Sequence, residues 1–288
     1  MRAPRMLAAT LSTVALLALA ACGGSDAGSE ATESGSTPTT GESTTLETLT
    51  PGKLTIATGE PSYSPWVEND DPASGEGFEA AVAYAVADKL GFAKDDVEWV
   101  RTSFESAVAP GPKDFDFNIQ QFTITEERKN AVDFSSPYYT TAPGLVSIKG
   151  NTGADATDLA GLKDALIGGS VGTSSLDAAE ELIQPTEQVA VFNSTEDAVQ
   201  ALNAGQIDVL AVDLPTALYL AAAELDNGVV VGQLASDQGG DQFGLLLPKD
   251  SALTAPVSAA VDALQADGTL DELVATWLTD AAGAPVLK

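Results

Sequence analysis

The stretch FDFNIQQFTITEERKNAVDFSSPYY, residues 115–139, places Arg128 between hydroxyl and amide side chains on one side and an aromatic run on the other. The chain has 288 residues, with 13 Lys and Arg against 42 Asp and Glu. Four of its cations are arginines, and two of these, Arg2 and Arg5, lie at the N-terminus. Arg101 and Arg128 are therefore scarce groups in the body of an acidic chain.

On both sides of this stretch, strand-like runs alternate with helical patterns over residues 53–288, which predicts an α/β fold with mainly parallel sheets. KLTIAT (53–58) alternates as a strand does, and GFEAAVAYAVADKLG (77–91) has the four-residue apolar spacing of a helix that ends at glycine. Further strands are predicted at 97–100, 115–119, 165–169, 189–192, 206–213 and 243–248, and further helices at 172–183, 193–205, 214–225 and twice between 249 and 280.

Residues 1–21 have the pattern of a secretion signal, with a basic start and an apolar run too short to span a bilayer. The sequence Leu-Ala-Ala-Cys at 19–22 resembles the signal of bacterial lipoproteins, which implies cleavage before Cys22 and a lipid on its sulfur. The alternative is an ordinary signal followed by a free thiol. Residues 22–52 are mostly Ser, Thr, Gly, Pro and Glu, which predicts a disordered tether behind the lipidated cysteine.

Charge and composition exclude several classes of function. Removal of the signal leaves 11 cations and 42 acids, a net charge of 11 − 42 = −31, so no basic surface is available for nucleic acid. The chain has no His and one Cys, which excludes the usual His-dependent nucleophile systems and a typical zinc site. The acidic loop at 68–71 lacks the spacing of a calcium loop. We therefore expect no metal, no cofactor and no nucleic-acid partner.

An ordered set of motifs resembles the bacterial extracellular solute-binding proteins, family 3, that deliver polar amino acids to ABC importers. The motifs are GEPSYSPW (59–66), GFEAAVAYAVADKLG (77–91), the stretch at 115–139, GTSS (172–175), GQIDVLAVD (205–213) and ADGTLDEL (266–273). The resemblance implies a two-lobed type II periplasmic-binding-protein fold with the ligand in the cleft. The first lobe would comprise 50–141 plus 238–288 and the second 142–237, with crossings near 140–142 and 236–240.

The resemblance also implies a carboxylate-binding pair. Arg128 would hold the ligand carboxylate through paired N–H donors, a geometry that lysine cannot supply. From the residues alone, a surface pair with a neighbouring acid (Glu126, Glu127 or Asp133) is an alternative. Ser174, on the turn before a helix, would bind the same carboxylate from the other lobe. An ordinary helix cap is the alternative for Ser174.

By the same resemblance, Asp213 would accept the ligand ammonium at the end of its strand. As an isolated Asp before Leu-Pro, it is equally suited to cap the next helix. The Thr123 hydroxyl and the backbone of residues 120–122 would complete the ammonium site.

Aromatic residues would line the side-chain end of the cleft. Tyr63 and Phe104 match family positions that stack on the ligand side chain, and the alternative for each is ordinary core; Trp66 is a further aromatic candidate. Glu60 stands where the family often has Asp and would face a basic side chain or solvent. Gln120 and the following glutamine replace small residues of the family, which leaves the identity of the ligand open.

These inferences predict a lipid-anchored binding protein, not an enzyme, on the outer face of the cytoplasmic membrane. We expect it to act as a monomer that captures a polar amino acid and delivers it to a membrane ABC permease. One alternative is a lyase or dehydratase on the same scaffold, with Glu60 or Glu79 as general acid. Another is a module that senses the ligand.

Overall fold

The structure is a computed structural model that describes residues 46–235, 240–278 and 284–288. The predicted signal peptide, Cys22 and the predicted tether as far as residue 45 lie outside the described residues. Residues Thr45–Lys288 form one compact unit. Within the described ranges, no helix combines the length and the apolar character needed to cross a membrane.

Strands and helices alternate along the unit. The strands are β1 (Leu54–Thr58), β2 (Val97–Arg101), β3 (Phe117–Asn118), β4 (Val132–Thr141), β5 (Pro143–Ile148), β6 (Ile167–Ser170), β7 (Ala190–Phe192), β8 (Val209–Asp213), β9 (Gly228–Leu234), β10 (Asp241–Pro248) and β11 (Val286–Leu287). The helices are α1 (Phe78–Lys89), α2 (Phe104–Val108), α3 (Ser174–Ile183), α4 (Thr195–Asn203), α5 (Leu214–Tyr219), α6 (Thr254–Ala266) and α7 (Thr269–Trp277). Every strand and helix predicted from the sequence is confirmed, and the strand β3 and the helix α5 are the most shortened.

Two mixed sheets organise these elements, in the orders β2-β1-β3-β10-β4 and β11-β9-β5-β8-β6-β7. β1 is parallel to β2 and β3, whereas β10 is antiparallel to β3 and β4. β6 is parallel to β7 and β8, whereas β5 is antiparallel to β8 and β9. With β11 parallel to β9, five of the nine pairs among the described strands are parallel, so the expectation of mainly parallel sheets is only partly confirmed. The chain enters β5 directly from β4 of the first sheet without an intervening helix, so no crossover helix sets the direction of β5.

The first lobe is built around the first sheet. Phe78, Val82 and Val86 of α1 are buried against one face of the sheet, together with α6 and α7. Gly77 begins this helix at φ 101°, and a Cβ there would lie 2.5 Å from the carbonyl oxygen of Trp66, so the position requires glycine. A second group is buried on the opposite face: Ala57, Ala107, Phe115, Phe122, Val132 and Leu246.

The second lobe is built around the second sheet, which is buried on both faces. Val209 and Ala211 of β8 pack on the side of α3, and the alternate residues Leu210 and Val212 pack on the side of α4 and α5. A strand covered on both faces has a continuous apolar sequence, as VLAV does here. The chain passes from the first sheet to the second at Ala142, between β4 and β5.

Two predicted boundaries need correction, and a third is only partly described. The tether ends before residue 52, because Leu46 packs against the first core and the Leu49 N–H donates to Asp116 Oδ1 at 2.8 Å. The segment 238–288 does not lie wholly in the first lobe: β11 pairs with β9, and Leu287 is buried in the second core. Residues 236–239 of the predicted return crossing lie outside the described residues.

Four strands, β4, β5, β9 and β11, have no counterpart in the sequence prediction. β4 contains Pro137, which interrupts a strand pattern because proline cannot donate to a neighbouring strand. In the structure β4 lies at the edge of the first sheet, and Pro137 faces Gly244 where the register shifts. An edge position and a register shift are the places where a sheet tolerates proline.

Candidate functional site

A cavity of about 120 Å³ lies between the two lobes. The first lobe lines it with residues from 58–66, 103–104 and 120–121, and the second with residues from 170–175, 193–195 and 211–216. These segments follow or end β1, β3, β6, β7 and β8, since the crevice of an open α/β sheet forms beyond the strand ends. Six predicted site residues line the cavity: Glu60, Tyr63, Phe104, Gln120, Ser174 and Asp213. Thr123 and Arg128 lie beside it and contact residues of its wall.

Phe104 connects the cavity wall with the buried group of the first lobe that contains Phe122. Its ring stacks on Phe122 with centroids 4.8 Å apart, and the Arg128 guanidinium lies 5.2 Å from its centroid, within cation–π range. Trp66 is 1% exposed and belongs to the core, yet its Nε1–H donates to Thr216 Oγ1 of the second lobe at 2.8 Å. The two aromatic residues therefore serve both the core and the cleft.

Arg128 crosses the cleft between the lobes. Its Nη1 donates to the Thr123 carbonyl at 2.7 Å and its Nη2 donates to the Gly172 carbonyl of the second lobe at 2.8 Å. The alternative of a surface pair with an adjacent acid is wrong, because Glu126 pairs with Lys129 and no salt bridge to Arg128 occurs among the described residues. Burial lowers the pKa of Arg128, and the nearby carboxyls of Asp177, Asp241 and Asp213 oppose that shift.

The Ser174 hydroxyl also lies at the junction of the lobes. It is 2.8 Å from the Thr123 hydroxyl and donates to Asp241 Oδ2 at 3.0 Å. The helix-cap alternative is not what the structure shows, since Thr173 occupies the cap position of α3 and Ser174 is its first helical residue. Asp241, at the start of β10, contacts Ser174 beside the cavity without lining it, and sequence reasoning did not single it out. Burial raises its pKa.

Asp213 ends β8 and occupies the cap position of α5, but its side chain makes no capping hydrogen bond. Its Oδ1 lies 3.5 Å from Ser175 Oγ, and among the described residues it has no salt-bridge partner. Burial raises the pKa of Asp213 to about 8, and the carboxyls of Asp241 and Glu79 add to the shift. A buried carboxyl in this setting is stabilised in its charged form by any cation that enters the cavity.

A buried carboxylate supports the wall from behind. Glu79 is fully buried and accepts hydrogen bonds from the Gln121 N–H at 2.7 Å, the Gln121 side-chain amide and the Tyr138 hydroxyl. Gln121 has φ 48°, a left-handed conformation that is uncommon for residues other than glycine. Burial raises the pKa of Glu79 to about 7. Glu79 therefore fixes the turn that carries Gln120, and the helical pattern around it gave no sign of this contact.

Two relatives and one solved structure resemble the chain closely. The L-cystine-binding protein TcyJ of Escherichia coli K12 is 31% identical over 233 residues, covering 80% of this chain and 82% of its own. The ABC transporter glutamine-binding protein GlnH of Bacillus subtilis 168 is 32% identical over 215 residues, covering 73% and 76%. An ancestral arginine-binding protein bound to glutamine superposes with a TM-score of 0.67 and 28% identity, over 80% of this chain and 99% of that one.

A family model matches a similarly large part of the chain. Residues 54–280 fit the model for bacterial extracellular solute-binding proteins, family 3. The predicted two-lobed fold of type II periplasmic binding proteins is confirmed by this match and by the structural neighbours. The chain belongs to the bacterial extracellular solute-binding proteins, family 3.

Proposed function

We propose that this chain captures a polar L-amino acid and delivers it to the permease of an ABC importer. The observation that carries the proposal is a pair of opposite charges at one cleft. Arg128 of the first lobe and Asp213 of the second are both largely enclosed, and neither forms a salt bridge within the described part of the chain. A zwitterionic α-amino acid supplies the two complementary charges in one molecule.

The carboxylate site combines both lobes. Arg128 has five N–H donors, of which described residues engage two, so further donors remain for a ligand carboxylate. Ser174 begins α3, a helix of ten residues, and its backbone and hydroxyl add donors at a helix N-terminus. A ligand held by both groups joins the first lobe to the second.

The ammonium site is the acidic end of the same cleft. Asp213 is the principal acceptor, and the Thr123 hydroxyl, 2.8 Å from the Ser174 hydroxyl at the junction of the lobes, is the second. Since Thr123 and Asp213 belong to different lobes, the ammonium gains both contacts only when the cleft is closed. This difference in contacts is what allows a ligand to favour the closed arrangement.

Binding without chemical turnover suits these contacts better than the lyase alternative. Glu79, one general acid considered for that alternative, does not line the cavity and is held by Gln121 and Tyr138. Glu60 lines the cavity, but we assign no second catalytic group among the residues that line it. We therefore propose a monomeric binding protein without cofactor or metal, in preference to an enzyme or a sensing module.

The proposed location is the outer face of the cytoplasmic membrane, with Cys22 as the site of lipid attachment. The support is the sequence Leu-Ala-Ala-Cys at 19–22 together with the polar segment that follows. Cys22→Ser should move the full chain from the membrane fraction to the soluble extracytoplasmic fraction. A mutant that stays on the membrane after a high-salt wash would show that the anchor lies elsewhere.

A thermal-shift screen of the purified chain tests the proposed binding function. The panel comprises the common amino acids, related amines, carboxylates without an amine, and sugars. At a hundredfold excess over its Kd, a ligand stabilises the folded state by about 2.7 kcal/mol, which raises the melting temperature by roughly 5–10 °C for a domain of this size. A response to sugars or to carboxylates without an amine, with none to amino acids, would reject the proposal.

A further inference from the structure

Three polar atoms on the first-lobe wall of the cavity are buried without a hydrogen-bond partner among the described residues. They are Thr58 Oγ1, Tyr63 OH and Gln120 Oε1. Thr58 is 1% exposed, so water does not replace the missing partner at its surface. Buried polar atoms are almost always hydrogen-bonded in native proteins, so three orphans on one cavity wall indicate contacts made to a ligand.

Two of the three atoms come from adjacent parts of the first sheet, and Tyr63 lies in the loop that follows β1. Thr58 ends β1 and Gln120 follows β3, and the two strands are parallel, with Ala57 opposite Asn118. A Cβ on Gly59 would lie 2.7 Å from the Gln120 Nε2, so the absence of a side chain at Gly59 makes room for the amide. Thr58 and Gln120 therefore present hydrogen-bond acceptors from neighbouring strands of the wall, and Tyr63 adds its hydroxyl from the loop that follows β1. An amide oxygen can only accept, and a hydroxyl can accept as well as donate.

The charges around this group are negative. Burial raises the pKa of Tyr63, and the carboxyls of Glu196, Asp197 and Asp70 contribute to the rise. The Glu196 backbone N–H approaches the hydroxyl and opposes the rise, without reaching hydrogen-bond geometry. The cavity lining carries two ionisable side chains besides Tyr63, those of Glu60 and Asp213, and both are acids. A second carboxylate on a ligand would meet repulsion at this end.

Arg101 lies two residues before Ser103 of the cavity wall, and its guanidinium already has hydrogen-bond partners within the protein. Arg101 donates to the Gly59 carbonyl at 2.6 Å, the Ser62 hydroxyl at 2.9 Å and the Asp70 carboxylate at 2.7 Å. Its Nη2 donates to the Asp70 carbonyl at 2.6 Å. Arg101 therefore neutralises Asp70 and does not serve as a receptor for a ligand carboxylate.

We infer that Thr58, Tyr63 and Gln120 form an acceptor subsite that selects amino acids whose side chains end in N–H donors, either an amide or a cationic group, and that rejects side-chain carboxylates. This inference rests on the proposed amino acid binding and specifies its substrate class. Thr58 is the determinant that sequence reasoning did not single out.

Calorimetric titration of the purified full chain with four probes tests the inference: L-glutamine, L-arginine, L-glutamate and L-alanine. Glutamine and glutamate have nearly the same shape, so their difference reports the chemistry of the subsite. We expect the Kd for glutamine or arginine to be at least about a hundredfold lower than the Kd for glutamate. The ratio of the glutamine and arginine affinities tells whether an amide or a cation is preferred.

Conservative variants locate the effect. Gln120→Met, Tyr63→Phe and Thr58→Val each remove one polar atom with little change of volume, and each should weaken the preferred amino acid by about tenfold. Gln206→Met, at an exposed position after α4, is the matched control and should change nothing. Circular dichroism confirms folding of each variant, so a variant that fails to fold leaves the other two as tests.

The outcomes separate this inference from the proposed function. Glutamate binding within tenfold of the better of glutamine and arginine overturns the acceptor subsite and leaves amino acid binding intact. Equal affinities of the Gln120→Met, Tyr63→Phe and Gln206→Met variants for the preferred probe also overturn it. If none of the common amino acids binds, the proposed function fails, and the subsite fails with it.

Discussion

Arg101 and Arg128 carry the same guanidinium but lie in different surroundings. Arg101 forms a salt bridge with Asp70 at 2.7 Å and donates to neighbouring groups of the loop behind the cavity. Arg128 donates to two backbone carbonyls, one from each lobe, and forms no salt bridge within the described residues. The carboxyls nearest to Arg128 act on it from beyond salt-bridge distance.

The difference shows how one residue type supports structure in one place and recognition in another. A guanidinium that already holds a carboxylate stabilises the loop that carries both partners. A guanidinium that is enclosed and bound only to neutral carbonyls keeps its charge for an anion from outside. In a chain of net charge −29, a half-buried cation without a salt-bridge partner among the described residues is an unusual arrangement, and we attribute it to ligand binding.

The largest expected effect separates the two arginines directly. Arg128→Ala should weaken amino acid binding by about 2–5 kcal/mol, because the ligand carboxylate would be enclosed without its partner. Arg128→Lys should restore part of the affinity, since a single ammonium replaces a planar fork. Isothermal titration calorimetry measures both variants. A folded Arg128→Ala variant with nearly normal affinity would remove the assigned difference between the arginines.

The charge opposite Arg128 should make binding depend on pH. In the ligand-free protein, the pKa of Asp213 is about 8 and that of Glu79 about 7, both raised by burial. An ammonium ligand favours ionised Asp213, so binding releases a proton and affinity should rise between about pH 6 and pH 8. Titrations across this range measure the effect, and Asp213→Asn should weaken binding and flatten the profile. A wild-type affinity that does not change with pH would contradict the role of Asp213.

The same groups predict an opposite trend for stability. An acid whose folded pKa lies above its unfolded value binds protons more tightly in the folded state, so stability falls as pH rises from the unfolded to the folded pKa. For Glu79 and Asp213 the window runs from about pH 4 to about pH 8. Asp213→Asn should therefore melt at a higher temperature than the wild type at pH 8 without ligand. A lower melting temperature would show that Asp213 contributes a structural contact.

The smallest expected effect is on the other arginine. Arg101→Ala should lower the free energy of unfolding by about 1–2 kcal/mol, because four hydrogen bonds to the loop at 59–70 are lost at a partly exposed site. Ligand affinity should fall by less than it does in Arg128→Ala, since Arg101 contacts the wall and not the ligand. Urea unfolding and calorimetry measure the two quantities. A larger loss of affinity in Arg101→Ala than in Arg128→Ala would reverse the comparison.

The sequence predicted the regular elements because their patterns are local. The four-residue spacing in α1 and the apolar run of β8 are visible without knowledge of the fold. β4 was missed because Pro137 is acceptable only at the edge position that the tertiary structure provides. The α/β class and the lobes followed from these patterns together with the resemblance to the family.

The site was less predictable because its contacts join distant residues. The Gly172 carbonyl that Arg128 contacts is 44 residues away in the chain, and no local pattern indicates it. Asp241 approaches Ser174 only because β10 returns to the first sheet at the junction of the lobes. The turn at Gln121 depends on the buried Glu79 carboxylate, which local spacing assigned simply to a helix.

The central claim is that the cleft binds a zwitterion through opposite charges on the two lobes. The most direct test is a calorimetric comparison of the amino acid that the screen identifies with its analogue lacking the α-amino group, each titrated into the wild-type chain and into Asp213→Asn. The wild type should bind the analogue at least about a hundredfold more weakly, and Asp213→Asn should bind the two compounds with similar affinity. Equal binding of both compounds by the wild type would contradict the claim.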